Sequence, residues 1–473
     1  MRTRSLPLLI AGASLTLGAQ QRTLTPQFQA VVSVNAPVVA LTNVRLVDGT
    51  GSPARDGQTV VIEGELIRAV GKTGEVKVPE GAQTIDLAGH TVFPGIVGLH
   101  DHMYYSSAAG GGMKIMLFSY PRLFLSAGVT TIRTAGSVDS YRELNLKKVI
   151  DEGTAIGPDI VVTGPYLQGP VEGAGGMHAL SGADDARRMV RYWADEGVTW
   201  FKAYTTISRA ELGAAIDEAH KHGVKVTAHL CSVGFREAVA LGIDNLEHGL
   251  LTNSEYNRTK EVDKCPTAGN SETYASLDIN SPDVQQTFKD MVKRNVAMTS
   301  TLAVYETGSP SRVPFDQRVL DALFPGARDA VAQYYERGKT VNDSLQRHNL
   351  KKAMEFERAF VKAGGLLAAG ADPCCGPAIA GYADQRNYEI LVEAGFTPEQ
   401  AIQIMTLNGA KVLGKSDRVG SIVAGKQADL VVVRGDLTKQ PGDIRNVVTV
   451  FRKGLGYDAE KLRASIAGTV GLR

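Results

Sequence analysis

The chain has 473 residues, 43% hydrophobic and 21% charged, an ordinary globular composition that excludes a disordered or fibrous protein. Lys and Arg total 51 against 50 Asp and Glu. The formal charge of +1 offers no electrostatic footprint for nucleic acid and no strong pull toward an anionic membrane.

In chain order, Arg2 and Arg4 precede an apolar run from Leu6 to Leu17, followed by the small residues Gly18 and Ala19. That order predicts a secretory signal peptide over 1–19 and an exported, periplasmic or secreted, protein. The run is too short to span a membrane, which takes about 20 apolar residues, and no later stretch reaches that length. A polar, poorly patterned leader follows over 20–37. Val38 to Val47, Thr59 to Ile62, Leu66 to Val70 and Thr84 to Leu87 read as short strands separated by turn residues.

From Thr91 apolar strand-like runs alternate with longer amphipathic segments. Strands are predicted near 92–99, 130–133, 160–163, 199–203, 225–229, 244–247, 296–299 and 365–369, with helices between them. Ser208 to His222 is one such helix, with Leu212, Ala215, Ile216 and Ala219 at helical spacing and Gly223 as its stop. Eight strands alternating with helices predict an α/β fold, a (β/α)8 TIM-like barrel over 91–418. The stretch 302–358 exceeds an ordinary connection and is a candidate lid over the barrel mouth. Helices are expected at Asp384–Ala394 and Pro398–Leu413. Strand pattern returns at Ile422-Val423 and Leu430 to Val433, so 38–90 and 419–460 are expected to form one composite β-sandwich domain.

His100-Asp101-His102 closes the first barrel strand. Side chains at i and i+2 on a strand point the same way, so two imidazoles project together at the carboxyl end, where barrel enzymes place their sites. Such a pair suits zinc or a similar divalent ion. His220 and His222 have the same spacing at a helix end, where two positions lie about 200° apart, and cannot share a metal. Lys202, His229 and His248 end the fourth, fifth and sixth strands, and Asp372 follows the eighth. Together these groups place a metal-competent set around one rim. The cysteines Cys231, Cys265, Cys374 and Cys375 fit no metal knuckle; one disulfide is expected, with its partners undetermined.

With these motifs on the page, the sequence resembles the metal-dependent amidohydrolase superfamily, and within it the imidazolonepropionase-like and Xaa-Pro dipeptidase branch. The resemblance rests on Pro94-Gly95-Ile96 leading to His100 and His102, on Phe201-Lys202-Ala203-Tyr204, Thr227-Ala228-His229, Glu247-His248-Gly249 and Gly370-Ala371-Asp372. Thr406-Leu407-Asn408-Gly409-Ala410 and the tail from Val419 to Leu430 add to it. Two positions depart from the family pattern, which usually has Asp where Gly98 stands and often where Thr134 stands. The resemblance implies a binuclear site: His100, His102 and Asp372 on one metal, His229 and His248 on the other, and Lys202 carbamylated and bridging both. It implies metal-activated hydrolysis of an amide or related C–N bond, with Asp372 moving the proton.

Substrate contacts are expected from Tyr204, on the Lys202 face of its strand, and from His178, which resembles a substrate-contacting His of the dipeptidase branch. Tyr104 and Tyr105 are further candidates, as is Arg133, which pairs either an anionic substrate group or a rim carboxylate. These donors suit a dipeptide or N-acyl amino acid with a free carboxylate, ochratoxin-like amides included. The alternatives are a cyclic-amide hydrolase or deaminase on the same scaffold, and a non-catalytic binding protein. The expected partner is a small molecule, with no nucleic acid and no membrane span, and with self-association into a homo-oligomer left open.

Overall fold

The structure, a computed structural model, describes residues 21–106, 112–170 and 177–472. The expected signal peptide lies outside these residues. Among them, no helix is long and apolar enough to cross a membrane.

Nine strands from the two ends of the chain build one mixed sheet. Its long members are Val38–Leu46, Arg55–Glu63 and Leu66–Lys72 from the first end, and Leu430–Arg434, Val447–Arg452 and Leu455–Asp458 from the second. The two ends meet where His90–Pro94 pairs antiparallel with Leu430–Arg434. Hydrogen bonding therefore joins the two ends of the chain in one sheet. The leader also departs from its expected lack of pattern: Val32–Val34 is an edge strand on Leu455–Asp458. Period-two alternation assigns the faces. Leu430 and Val432 pack into the sheet's own core with Val39, Leu41 and Val60, whereas Val431 and Val433 join the main core of the molecule. Ile422 and Val423, expected in a strand, form a loop in which the Ile422 amide bonds to the Asp48 carbonyl.

The strand expected over 92–99 is broken at Gly95. Any Cβ there would collide with the Thr130 side chain, so glycine permits the close approach at which the chain leaves one sheet for the next. Beyond it lie eight short parallel strands: β1 (Ile96–Asp101), β2 (Val129–Thr134), β3 (Asp159–Val161), β4 (Trp200–Ala203), β5 (Lys225–Ala228), β6 (Asn245–Glu247), β7 (Ala297–Ser300) and β8 (Leu367–Ala369). Their ladders form a three-stranded sheet, β3-β2-β1, and a five-stranded sheet, β4 through β8. Isolated parallel bridges, Thr163 to Trp200 and Leu167 to Ala203, connect the β3 and β4 segments. On the other side the Asp372 amide donates to the His100 carbonyl at 2.7 Å. The fold is thus mixed α/β with parallel strands in chain order. A continuous closed ladder, as the barrel expectation required, is absent among the described residues.

The helix between β4 and β5 is Arg209–Lys221, opened by a capping box in which Ser208 and Glu211 satisfy each other's backbone amides. The long excursion holds four helices, Leu302–Glu306, Gln317–Ala322, Pro325–Gly338 and Ser344–Lys362. Near the carboxyl end, the helix begun at Pro398 widens into a π-turn over Ile404–Asn408. This places Asn408 Nδ2 on the Leu367 carbonyl at 2.8 Å, and Gly409 so close to Val97 that no side chain would fit. The 406–410 motif thereby packs under β1 and β8.

Candidate metal centre

Six of the expected groups come together at the carboxyl ends of β1, β4, β5, β6 and β8. His100 and His102 project from the end of β1 with ring centroids 5.3 Å apart. The His248 ring lies 4.4 Å from His100 and 4.4 Å from His229, and Lys202 Nζ is 2.8 Å from His100 Nε2. Asp372 closes the set, with Oδ1 3.0 Å from His102 Nε2 and Oδ2 3.6 Å from His100 Nε2 and 4.0 Å from His248 Nε2. One ligand atom from each of His100, His248 and Asp372 fits within 4.8 Å of the others. His248 and Asp372 both adopt left-handed backbone, at φ 68° and 51°. Non-glycine residues hold that conformation at a cost, and it collects at functional sites.

Burial sets the charge states. It lowers the pKa of His102 to about 4 and of His229 to about 3, lowers His100, and takes His248 well below its usual value. All four rings are therefore neutral near pH 7, as metal ligation requires. Burial also lowers Lys202 to about 8. It penalises the Asp372 carboxylate too, but His100 and the His102 hydrogen bond outweigh this and hold Asp372 well below the carboxylate range.

The rings are held from behind. His100 Nδ1 bonds to Glu247 Oε2 at 2.8 Å, and His248 Nδ1 to Thr301 Oγ1 at 2.7 Å. The carboxylate only accepts, so the first bond fixes the His100 tautomer, and both bonds turn Nε2 toward the cluster. Glu247 is fully buried and also accepts from Arg133, Thr227 and Asn245 Nδ2. A chain of tyrosines borders the cluster. Tyr104 stacks on His102 at 4.6 Å, its hydroxyl lies 3.0 Å from that of Tyr166, and the Tyr204 ring sits 5.0 Å from Tyr166 and 4.9 Å from His229.

The substrate-contact candidates divide. Tyr204 is at the cluster and partly exposed. Arg133 is not presented to any substrate; its guanidinium is wholly buried on Glu247 and lies 4.6 Å from the Trp200 ring, so the carboxylate alternative holds. Tyr105 turns away, donating to the Gly376 carbonyl at 2.9 Å, while its neighbour Tyr104 stacks on His102. His178 is half exposed and bonded to Asp185 at 2.9 Å, on a surface cavity that Tyr166 also lines. His220 pairs with Asp244 and His222 with Asp195 and Glu218, remote from the cluster in their contacts. The Gly98 departure has a local reason: the Asp101 carboxylate occupies the space a side chain at 98 would need.

Sequence reasoning assigned no role to Glu247, Thr301, Tyr166 or Tyr305, whose ring lies 5.4 Å from His248. For Glu247 a signal existed, a carboxylate at the inner end of a strand beside a ligand. Thr301 and Tyr166 carried none, because only the fold brings them there.

The amidohydrolase family model matches residues 91–455, most of the chain, and the chain belongs to that family. An imidazolonepropionase of Porphyromonas gingivalis is 35% identical over 77 residues, 16% of this chain and 18% of that protein. The matched segment thus spans less than a fifth of that relative. Among solved structures, a Xaa-Pro dipeptidase with methionine in its active site superposes at a TM-score of 0.66 with 22% identity, covering 89% of this chain and 100% of that one. The A. niger ochratoxinase gives 0.63 and 18%, covering 89% and 95%. At these identities the two structures share the fold with this chain.

Proposed function

We propose that the protein is an exported hydrolase of C–N bonds with two divalent metal ions, zinc the expected identity. Its substrate is a small amide or peptide with a free carboxylate: a dipeptide such as Xaa-Pro, an N-acyl amino acid, or an ochratoxin-like amide. The observation that carries this reading is the convergence of four neutral imidazoles, Asp372 and Lys202 at one set of strand ends, where His229 and Asp372 are partly exposed. The donor set fits a divalent ion: His248 Nε2 is buried without a hydrogen-bond partner and faces Asp372, and neutral imidazoles with one carboxylate are what zinc takes. The relatives named above support the amide and peptide chemistry. Closure of β1 to β8 into a barrel is part of the proposal, supported by the Thr163–Trp200 bridge and the Asp372–His100 hydrogen bond.

His100, His102 and Asp372 would hold one ion and His229 and His248 the other. The lowered pKa of Lys202 supports a bridging role, since the neutral Nζ can add to the carbon of CO₂ and lose a proton, giving a carbamate whose two oxygens share one negative charge. When bound, such ions supply Lewis acidity and a hydroxide near neutral pH. Asp372 takes the proton of the attacking water at Oδ2, the oxygen that His102 does not hold, and returns it to the leaving nitrogen. Tyr204, a partly exposed residue whose ring lies beside His229, orients the substrate carbonyl or carboxylate with its hydroxyl.

A panel of Xaa-Pro dipeptides, N-acyl amino acids and cyclic ureides, run with and without chelator, tests this. Chelator-sensitive turnover of the first two classes is expected. Turnover confined to the ureides would instead establish the cyclic-amide reading, which the imidazolonepropionase segment favours. Purified protein without bound divalent metal and without turnover would point to a binding protein.

A further inference from the structure

Two thiols beside Asp372 have no part in the reaction above. Cys374 and Cys375 follow it in the loop after β8, both partly exposed, with Sγ atoms 2.9 Å apart. Their backbone is tied down on both sides. The Cys374 amide bonds to the Asp372 carbonyl at 2.8 Å, and its own carbonyl accepts from the Ser106 amide at 2.7 Å. Cys375 forms bridges to Ser106 and Ala378, and the Tyr105 and Tyr120 hydroxyls hold the carbonyls of Gly376 and Pro373. The thiols are therefore kept facing each other. The strand that anchors them, Tyr104–Ser106, also carries the ring stacked on His102.

We propose that Cys374 and Cys375 form a reversible vicinal disulfide, a redox modification site on the loop that carries Asp372. The reacting partner is an organic disulfide, RSSR. The thiolate of one cysteine attacks a sulfur of RSSR, forming a mixed disulfide and releasing RS⁻. The neighbouring thiolate then attacks the first Sγ, the 374–375 bond forms, and a second RS⁻ leaves. The two thiol protons end on two RSH, and the two electrons lost by the pair reduce RSSR. Neighbouring Cα atoms are about 3.8 Å apart. That is shorter than the span of roughly 4.4–6.8 Å that disulfides prefer, so the bond stores strain and is easily reduced. It belongs with the labile, regulatory disulfides and contrasts with the Cys231–Cys265 bridge, whose Cα atoms lie 4.9 Å apart.

The test uses the full chain in glutathione buffers of graded composition, followed by alkylation with iodoacetamide, tryptic digestion and mass analysis. Cleavage after Lys362 and Arg386 gives a peptide, 363–386, with both thiols and no other cysteine. As the buffer becomes oxidising, this peptide should change from doubly alkylated to unalkylated and lighter by two hydrogens, and revert with dithiothreitol, while 226–236 and 265–289 stay cross-linked. A peptide that stays doubly alkylated, or carries glutathione on one thiol, in glutathione disulfide alone overturns the proposal. A second arm, which rests on the hydrolase reading, follows turnover of the dipeptide panel. Oxidation should lower the rate about tenfold, as loss of a metal-ligand partner does. The change should vanish in the Cys374→Ser/Cys375→Ser double variant. An equal rate in both states removes the coupling to Asp372, whereas the mass result stands or falls without any turnover.

Discussion

His102 and His222 carry the same side chain in different surroundings. His102 is buried, neutral and within 3.0 Å of Asp372, whereas His222 sits at a helix end between the exposed Asp195 and the buried Glu218. His102→Ala should abolish turnover and lower bound divalent metal, and His222→Ala should do neither; metal analysis with rate measurement compares them. Asp372→Asn should keep most metal yet lose turnover, because an amide cannot take the proton of water. Glu247 supports the centre indirectly. It is fully buried, and burial is outweighed by Arg133 and His100, which hold its carboxyl well below the usual range. Glu247→Gln leaves Arg133 charged and uncompensated, which costs about 3–5 kcal/mol, and lets the His100 ring turn. Denaturant unfolding should show that loss.

At the scale of elements, the site is built by strand ends and held by short connections. The loop following His229 is tied to the 257–269 segment by the Cys231–Cys265 bridge, across a sequence separation of 34. On the chain-entropy account a loop of that length contributes about 4 kcal/mol. A Cys231→Ser/Cys265→Ser variant should unfold at correspondingly lower denaturant, with activity at low temperature much less affected. The excursion is anchored by charge: Glu306, almost fully buried, accepts from Arg312 and Arg386, and Arg386 also pairs with Glu389. This segment, a candidate lid, holds four helices, and its Glu306 and Arg312 fasten it to the helix Tyr382–Glu393.

At the scale of the whole molecule, the interior holds carboxyl groups that stay protonated. Burial raises Glu143 and Glu357 to about 8. Their folded pKa lies above the unfolded value near 4.5, so the native state binds more protons through that interval. The stability they confer is full below about pH 4.5 and is lost as pH rises through about 8. Glu357 faces Gly249 and lies beside Ser300, so its neutral replacement isolates the effect. Glu357→Gln should unfold at a higher temperature than the parent at about pH 8.5, with the gap closing at about pH 5. An equal gap at both pH values would show that the carboxyl titrates normally.

Much of this protein was legible in one dimension. The periodicity of the flanking residues separates His100-x-His102 on a strand from the equally spaced His220-x-His222 on a helix, since two residues return to the same side of a strand but turn through about 200° on a helix. Period and turn residues likewise locate the eight parallel strands and the helix at Arg209–Lys221, because those signals are local. Other features depend on neighbours distant in sequence. The choice of Cys231 with Cys265, the capture of Arg133 by Glu247, the departure of Tyr105 in favour of Tyr104, and the edge strand in the leader all arise this way. So does the break at Gly95, which exists because Thr130 arrives from another strand. Local periodicity determined which residues stand at strand ends. Only tertiary packing decided which of them meet, because a side chain's partner, its burial and hence its charge are properties of the surroundings it is folded into.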